Sequence, residues 1–127
     1  MSDSEGSFVI TLEQQKDFQF LVKWDNPDVP ELLVDEAAPL GEDAGPNPSR
    51  ILSLAVANCL SASLLFALRK FKNQPEPLKA TVTTQMVRNE KNRLRVCKIA
   101  VDIQMGAVAA DLQHLERVLA QFEDFCV

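Results

Sequence analysis

Two short apolar runs open the ordered part of the pattern, Phe8–Leu12 (Phe-Val-Ile-Thr-Leu) and Phe18–Trp24 (Phe-Gln-Phe-Leu-Val-Lys-Trp). Both are rich in the aromatic and β-branched residues that suit a pleated surface, so both predict strands. The polar stretch Glu13-Gln-Gln-Lys-Asp17 between them reads as the break of a hairpin. Asn26-Pro27-Asp28 signals a further turn, and Glu31–Asp35 has the make-up of a short third strand. Residues 37–48, with Pro39, Gly41, Gly45, Pro46 and Pro48, read as loop.

Asn47-Pro48 then opens the longest element. Asn accepts a hydrogen bond at a helix N-cap, and Pro fits the first helical turn. From Ile51 to Leu68 the sequence is apolar on almost every face, its polar members being Ser53, Asn58, Ser61 and Ser63. Such a helix is buried in protein or lies in lipid. The run sits at the short end of a membrane span, roughly 17–25 residues. Four polar residues and strand-like segments on both sides point to the buried alternative. Arg69 and Lys70 place cations where the helix dipole favours them. After Pro75 and Pro77, Lys79–Arg88 and Arg93–Met105 alternate with period two around the turn Asn89–Asn92, which predicts a long antiparallel hairpin. The step from Val96 to Ile99 breaks the alternation, so a bulge or change of face is expected near Cys97-Lys98. Asp111 is placed to cap a last helix over Leu112–Phe125, with Leu112, Leu115, Val118, Leu119, Phe122 and Phe125 at helical spacing. The expected order is β-β-(β)-α-β-β-α, an α+β chain.

The chain has 127 residues, 46% apolar and 24% charged. Those values fit one globular domain over residues 1–127, able to bury roughly two-thirds of its unfolded surface without metal or disulfide staples. With 13 basic against 18 acidic residues the net charge is −5. A nucleic-acid partner or a polybasic membrane anchor, both of which need clustered cations, is not expected. Three cysteines are too few, and odd in number, for a disulfide framework. Met1-Ser-Asp-Ser-Glu-Gly6 is acidic and polar, unlike a secretory signal, so the expected compartment is the cytoplasm, where thiols stay reduced.

Candidate chemistry is sparse. His114, the one histidine, falls on the polar side of the last helix with no ligand cluster beside it, and no metal is expected. No Gly-rich phosphate loop and no hydrolase motif occur. Cys97, in a strand, reads as a packing or surface thiol. Cys59 lies deep in the apolar helix with Ser63 one turn on, and by itself reads as an inert buried thiol. It is too far from the helix N-terminus for the dipole to depress its pKa much. Arg50 is about 13 Å away along the axis, so an activating cation has to come from another segment. Cys126 ends the last helix, where a thiol is more exposed.

Gly45-Pro-Asn-Pro48, followed by an apolar helix with Cys59 about three turns in, resembles the OsmC/Ohr family. There a Gly-x-Asn-Pro loop leads into a long central helix carrying a reactive cysteine, and a second cysteine follows at the end of a further helix. Cys59 and Cys126 stand at both positions, and the resemblance spans essentially the whole chain. It implies an antiparallel sheet packed on a long buried central helix in an intertwined homodimer, with two active sites at the interface. It further implies reduction of hydroperoxides, organic ones preferred, with no cofactor. Cys59 as thiolate becomes a sulfenic acid, Cys126 condenses with it to a disulfide, and a dithiol of lipoyl type reduces that disulfide. Phe18, Phe20 and Phe66 are candidate walls of an apolar pocket, though each reads more readily as plain core.

Three departures accompany the resemblance. The family's peroxidases hold the thiolate with an Arg from the first hairpin turn, paired to a Glu after the Asn-Pro. Here no Arg precedes Arg50; Lys16 stands at about that place and Ser49 follows Pro48. Lys supplies the charge but not the planar fork. Val127 stands where the family usually has Pro after the second cysteine, and the family's closing strand has no counterpart before the sequence stops. The alternative to a peroxidase is therefore a catalytically weak OsmC-like module that binds a small apolar ligand or senses thiol oxidation.

Overall fold

The computed structural model describes residues 5–127; Met1–Ser4, part of the acidic N-terminal stretch read above, lie outside the described residues. The elements run β1 (Thr11–Lys16), β2 (Gln19–Lys23), β3 (Leu32–Val34), α1 (Pro48–Lys70), β4 (Leu78–Arg88), β5 (Leu94–Met105) and α2 (Leu115–Gln121), with 3-10 turns at Ala109–Asp111 and Phe122–Phe125. This is the expected β-β-β-α-β-β-α order. The chain divides into two compact units, Met1–Ile51 and Leu52–Val127.

In the first unit β1, β2 and β3 form an antiparallel sheet in that order. Leu12 faces Val22, Gln14 faces Phe20, and Leu21 faces Leu33. The first strand departs from the sequence reading. It runs through the polar residues 13–16, while Phe8, Val9 and Ile10 stay outside the ladder and exposed. The reason is the turn. Asp17 adopts a left-handed φ of 50°, which Asp tolerates, and so the hairpin closes in two residues. β1 is exposed along its length, so Glu13, Gln14 and Gln15 meet no buried face that would exclude them. Val22 and Val34 are the buried apolar residues of this sheet.

In the second unit β4 and β5 pair from Leu78–Met105 to Arg88–Leu94. Lys98 faces Gln85 and Val96 faces Met86, so Cys97 is the extra residue of a bulge, where the broken alternation placed it. The core of this unit is Leu64, Ala67, Leu68, Leu112 and Val118, with Phe71, Ile103, Met105, Leu115 and Phe122 packed on it. Ser53 and Thr84 share a hydrogen bond that ties α1 to β4.

α1 starts as expected: Asn47 Oδ1 accepts the Arg50 N–H at 3.0 Å, and Pro48 takes the first helical position. It ends in a Schellman motif. Asn73 N–H reaches Leu68 O at 3.2 Å and Lys72 N–H reaches Arg69 O at 2.9 Å, with Lys72 left-handed at φ 62°. Its burial is narrower than its composition suggests. Only 33% of its most apolar stretch is buried within this chain, and Leu52, Leu54 and Phe66 are exposed. The helix also has the length and apolarity to cross a membrane.

The last helix is shorter than its periodicity predicts. Asp111 does not cap it; that residue ends a 3-10 turn, and the chain extends through Leu112. His114 precedes α2 at φ 57° with no side-chain cap. The break has a tertiary cause. Asn73 donates to the Gln113 carbonyl at 3.0 Å and accepts the Gln113 N–H at 2.7 Å, so both backbone groups of Gln113 are held outside a helix. The apolar period still places Leu112, Leu115, Val118 and Phe122 in the core, whereas Leu119 and Phe125 are exposed.

Candidate functional site

The loop before α1 is organised by one buried carboxylate. Asp35, 2% exposed, follows β3. Its Oδ1 accepts the Glu36 N–H at 2.8 Å, and its Oδ2 accepts those of Glu42 and Ala44 at 3.0 and 3.1 Å. Burial pushes its pKa up, but the three backbone donors and the Gln19 side chain outweigh burial and hold it below the ordinary carboxylate value. Its own N–H donates to Pro46 O at 3.2 Å, which draws residues 45–47 against the sheet. A Cβ on Gly45 would fall on the Leu33 carbonyl, so only glycine fits there. The Gly-Pro-Asn-Pro segment is thus seated by β3 and delivers Asn47 as cap.

From that cap α1 carries Cys59, Ser63, Phe66 and Lys70, spaced four, three and four residues apart and so on one stripe. The 3-10 turn at Phe122–Phe125 brings Cys126 back to this stripe. The thiols of Cys59 and Cys126, both half-buried, lie close enough to act on each other's acidity. The Cys126 thiol holds the Cys59 pKa below its ordinary value; burial opposes this, and the Val127 N–H and the Ser63 hydroxyl add to it. The same contact pushes Cys126 up, reinforced by burial, the Cys59 charge and Glu123. Two thiols in one contact are driven apart in acidity, one toward thiolate and one toward thiol. Ser63 Oγ also donates to the Cys59 carbonyl at 2.7 Å, so its single proton serves two acceptors on one residue.

Phe66 meets Phe125 edge-to-face at 5.1 Å, with both rings partly exposed. The Lys70 ammonium lies 5.4 Å from the Phe66 centroid and 4.9 Å from that of Phe125. Phe18 and Phe20 line a different cavity, in the first unit: about 230 Å³ of largely apolar space with Leu12, Val34 and Pro48. Of the three aromatics singled out in the sequence, two share that cavity and Phe66 joins the cysteine stripe.

Lys16 lies in the first unit. Its ammonium pairs with Glu42 Oε1 at 2.9 Å, both side chains well exposed, and that hydrogen bond and charge raise its pKa. The groups that lower Cys59 (the Cys126 thiol, the Val127 N–H and the Ser63 hydroxyl) are all neutral. Cys97 is exposed at its bulge, with its thiol 3.4 Å from Gln85 O. His114 is exposed, as expected, though its ring stacks on Phe71 at 4.7 Å. Asp35 and the Val127 N–H escaped the sequence reading. Ser63 was visible there only as a residue one turn beyond Cys59.

No family model matches the sequence, and no curated protein is similar to it. Solved structures are. An OsmC-like protein of unknown function from Vibrio cholerae superposes with a TM-score of 0.72 at 18% identity, covering 98% of this chain and 90% of that one. The organic hydroperoxide resistance protein OsmC from Legionella pneumophila gives 0.69 at 14% identity, over 98% and 87%. The organic hydroperoxide resistance protein OhrB of Bacillus subtilis gives 0.66 at 11% identity, over 97% and 87%. At such identities the likeness is one of fold.

Proposed function

We propose that this chain, which has the fold of the OsmC and Ohr proteins, reduces organic hydroperoxides through Cys59 and Cys126. The observation that carries the reading is the thiol pair. Two cysteines far apart in sequence act on each other's acidity, with shifts of opposite sign. Cys59 thiolate attacks the terminal oxygen of ROOH, forming an S–O bond. The O–O bond breaks, the sulfur is oxidised to sulfenic acid, and the alkoxide leaves as ROH after taking a proton. The Cys126 thiol then attacks the sulfenic sulfur, water leaves, and a Cys59–Cys126 disulfide remains. An external dithiol, of lipoyl type in the resemblance, returns both thiols by exchange.

The acidity pattern supports these roles. The attacking sulfur has to be a thiolate, and Cys59 is the one held down. Cys126, the one held up, is the weaker nucleophile of the reduced pair and is left to resolve the sulfenic acid. Three neutral donors lower Cys59, so Lys16 is an added electrostatic partner at most, and its own charge is matched by Glu42. The reading includes a homodimer, since Leu52 and Leu54 of α1 are exposed in one chain, and a reducing cytoplasm. A second reading, a module that binds an apolar ligand with little turnover, is favoured by the apolar cavity at Phe18 and Phe20.

The test adds one equivalent of an organic hydroperoxide to the reduced protein and maps the product by non-reducing peptide mass spectrometry. The expected product is a Cys59–Cys126 disulfide with Cys97 unmodified. A Cys59→Ser protein should lose peroxide consumption; consumption at the parent rate would sink the reading. Lys16→Ala is expected to change the rate by less than Cys126→Ala.

A further inference from the structure

We propose that the cavity between the end of α1 and the face of α2 binds the carboxylate of an apolar-chain reactant. The proposal rests on the peroxidase reading for the ligand's role as a reactant, and not for the binding itself. Lys70 and Phe71 come from the end of α1, Arg117 and Gln121 from α2, and Phe125 from the turn before Cys126. They enclose about 250 Å³. That is just under the roughly 300–1,000 Å³ of a typical ligand site, so it takes a head group and its first carbons rather than a whole molecule.

The charge of this cavity stands out. The chain is net acidic, at −5. Three other cavities each have at least one carboxylate in the wall: Glu76; Asp17, Asp35 and Glu42; and Asp35 and Glu36. The Lys70–Arg117 cavity has two cations and no acid in its wall. The ion pairs among the described residues are Lys16–Glu42, Lys23–Glu13 and Arg69–Glu76, and neither cation of this cavity takes part in one. Ring faces hold them instead. The Arg117 guanidinium lies 5.7 Å from the Phe71 centroid, and Lys70 lies over Phe66 and Phe125. Aromatic faces position a cation without neutralising it. Gln121 adds an amide donor.

The location gives the ligand its class. Lys70 and Cys59 share one helical stripe, eleven residues and so about 16 Å apart along the axis. Phe66 lies between them, and Phe125 leads directly to Cys126. A carboxylate held by Lys70 and Arg117 leaves a hydrocarbon tail to run over the exposed ring pair toward the thiols. Two reactants share this chemistry: a hydroperoxide of a long-chain fatty acid, and a dithiol ending in a carboxylate.

The binding test uses full-length Cys59→Ser protein, which does not turn over, titrated calorimetrically with dodecanoate and with dodecanol below micellar concentrations. Dodecanoate should bind about tenfold tighter. The preference should collapse toward unity when Lys70→Gln and Arg117→Gln are combined, and persist with Lys70→Arg, all variants melting as the parent does. No preference in the parent, or one that survives the double substitution, overturns the proposal. The source is read on protein with both thiols. Faster disulfide formation with a fatty-acid hydroperoxide than with its methyl ester assigns the site to the oxidant. Faster disulfide reduction by a carboxylate-ended dithiol than by its amide assigns it to the reductant. If neither rate discriminates, the site has no part in the reaction and the proposal fails. Loss of peroxide-driven disulfide formation with the dodecanoate preference intact would instead count against the peroxidase reading alone.

Discussion

At the scale of single residues, the acidity of Cys59 depends on one neighbouring proton. The Cys126 thiol is the largest influence lowering it. Cys126→Ala should therefore raise the Cys59 midpoint, seen in the thiolate absorbance titration, toward the unperturbed value of about 8.5. Its alkylation by iodoacetamide at neutral pH should slow several-fold. Cys126→Ser keeps a donor and should raise the midpoint less. Asp35 gives the opposite kind of signal, in stability. Its folded pKa is depressed, so the unfolded chain binds the extra proton. The contribution is fully present above the unfolded value, about 4, and is lost as pH falls through the folded value. Urea midpoints should fall below about pH 4; Asp35→Asn should lower the neutral-pH midpoint and flatten that acid limb.

These two residues also mark what the sequence could show. Cys59 and Cys126 were legible because a loop, a helix and two thiols come in a recognisable succession. Asp35 was not. A carboxylate at the end of a short strand looks solvated, and its importance comes from N–H groups of residues 36, 42 and 44, whose direction only the folded loop sets. The Val127 N–H escaped for the same reason: a backbone donor carries no side-chain signature.

At the scale of elements, α1 was read correctly because its cap, its apolar run and its terminal cations are local signals. α2 was over-extended because the break before it is imposed from elsewhere, by Asn73 on Gln113. Apolar periodicity reports which side chains face the core. It does not report whether the backbone between them stays helical. Asn73→Ala should therefore cost about 2–3 kcal/mol in urea unfolding, since it strands the Gln113 N–H and carbonyl. At the same helix end, Lys72 occupies a left-handed position usually given to glycine. Lys72→Gly should stabilise the protein by about 0.5–1 kcal/mol, because relief of the left-handed cost exceeds the added freedom of the unfolded chain.

At the scale of the whole molecule, exposed Leu52 and Leu54 on α1 raise the question of a second copy. If a homodimer covers them, Leu54→Glu should shift sedimentation equilibrium from dimer to monomer and raise dye binding to exposed apolar surface. A parent that sediments as monomer at micromolar concentration would remove the dimer from the reading. The burial expected for α1 is met only in part within one chain, because a lone sequence shows how apolar a helix is and not what covers it.

The bulge on β5 leaves the ribbon with a spare residue. Val96 and Ile99 face the same way, with Cys97 left without a cross-strand partner between the Gln85–Lys98 and Met86–Val96 pairs. Removing Cys97 altogether would restore strict alternation and keep every other cross-strand partner, whereas deleting Ala100, three residues on, would turn one half of the strand inside out. The ribbon should thus accept a deletion at one site and refuse it next door. A protein shortened by that one cysteine would carry only the two thiols of the proposed chemistry, so each oxidising equivalent could be counted with no bystander.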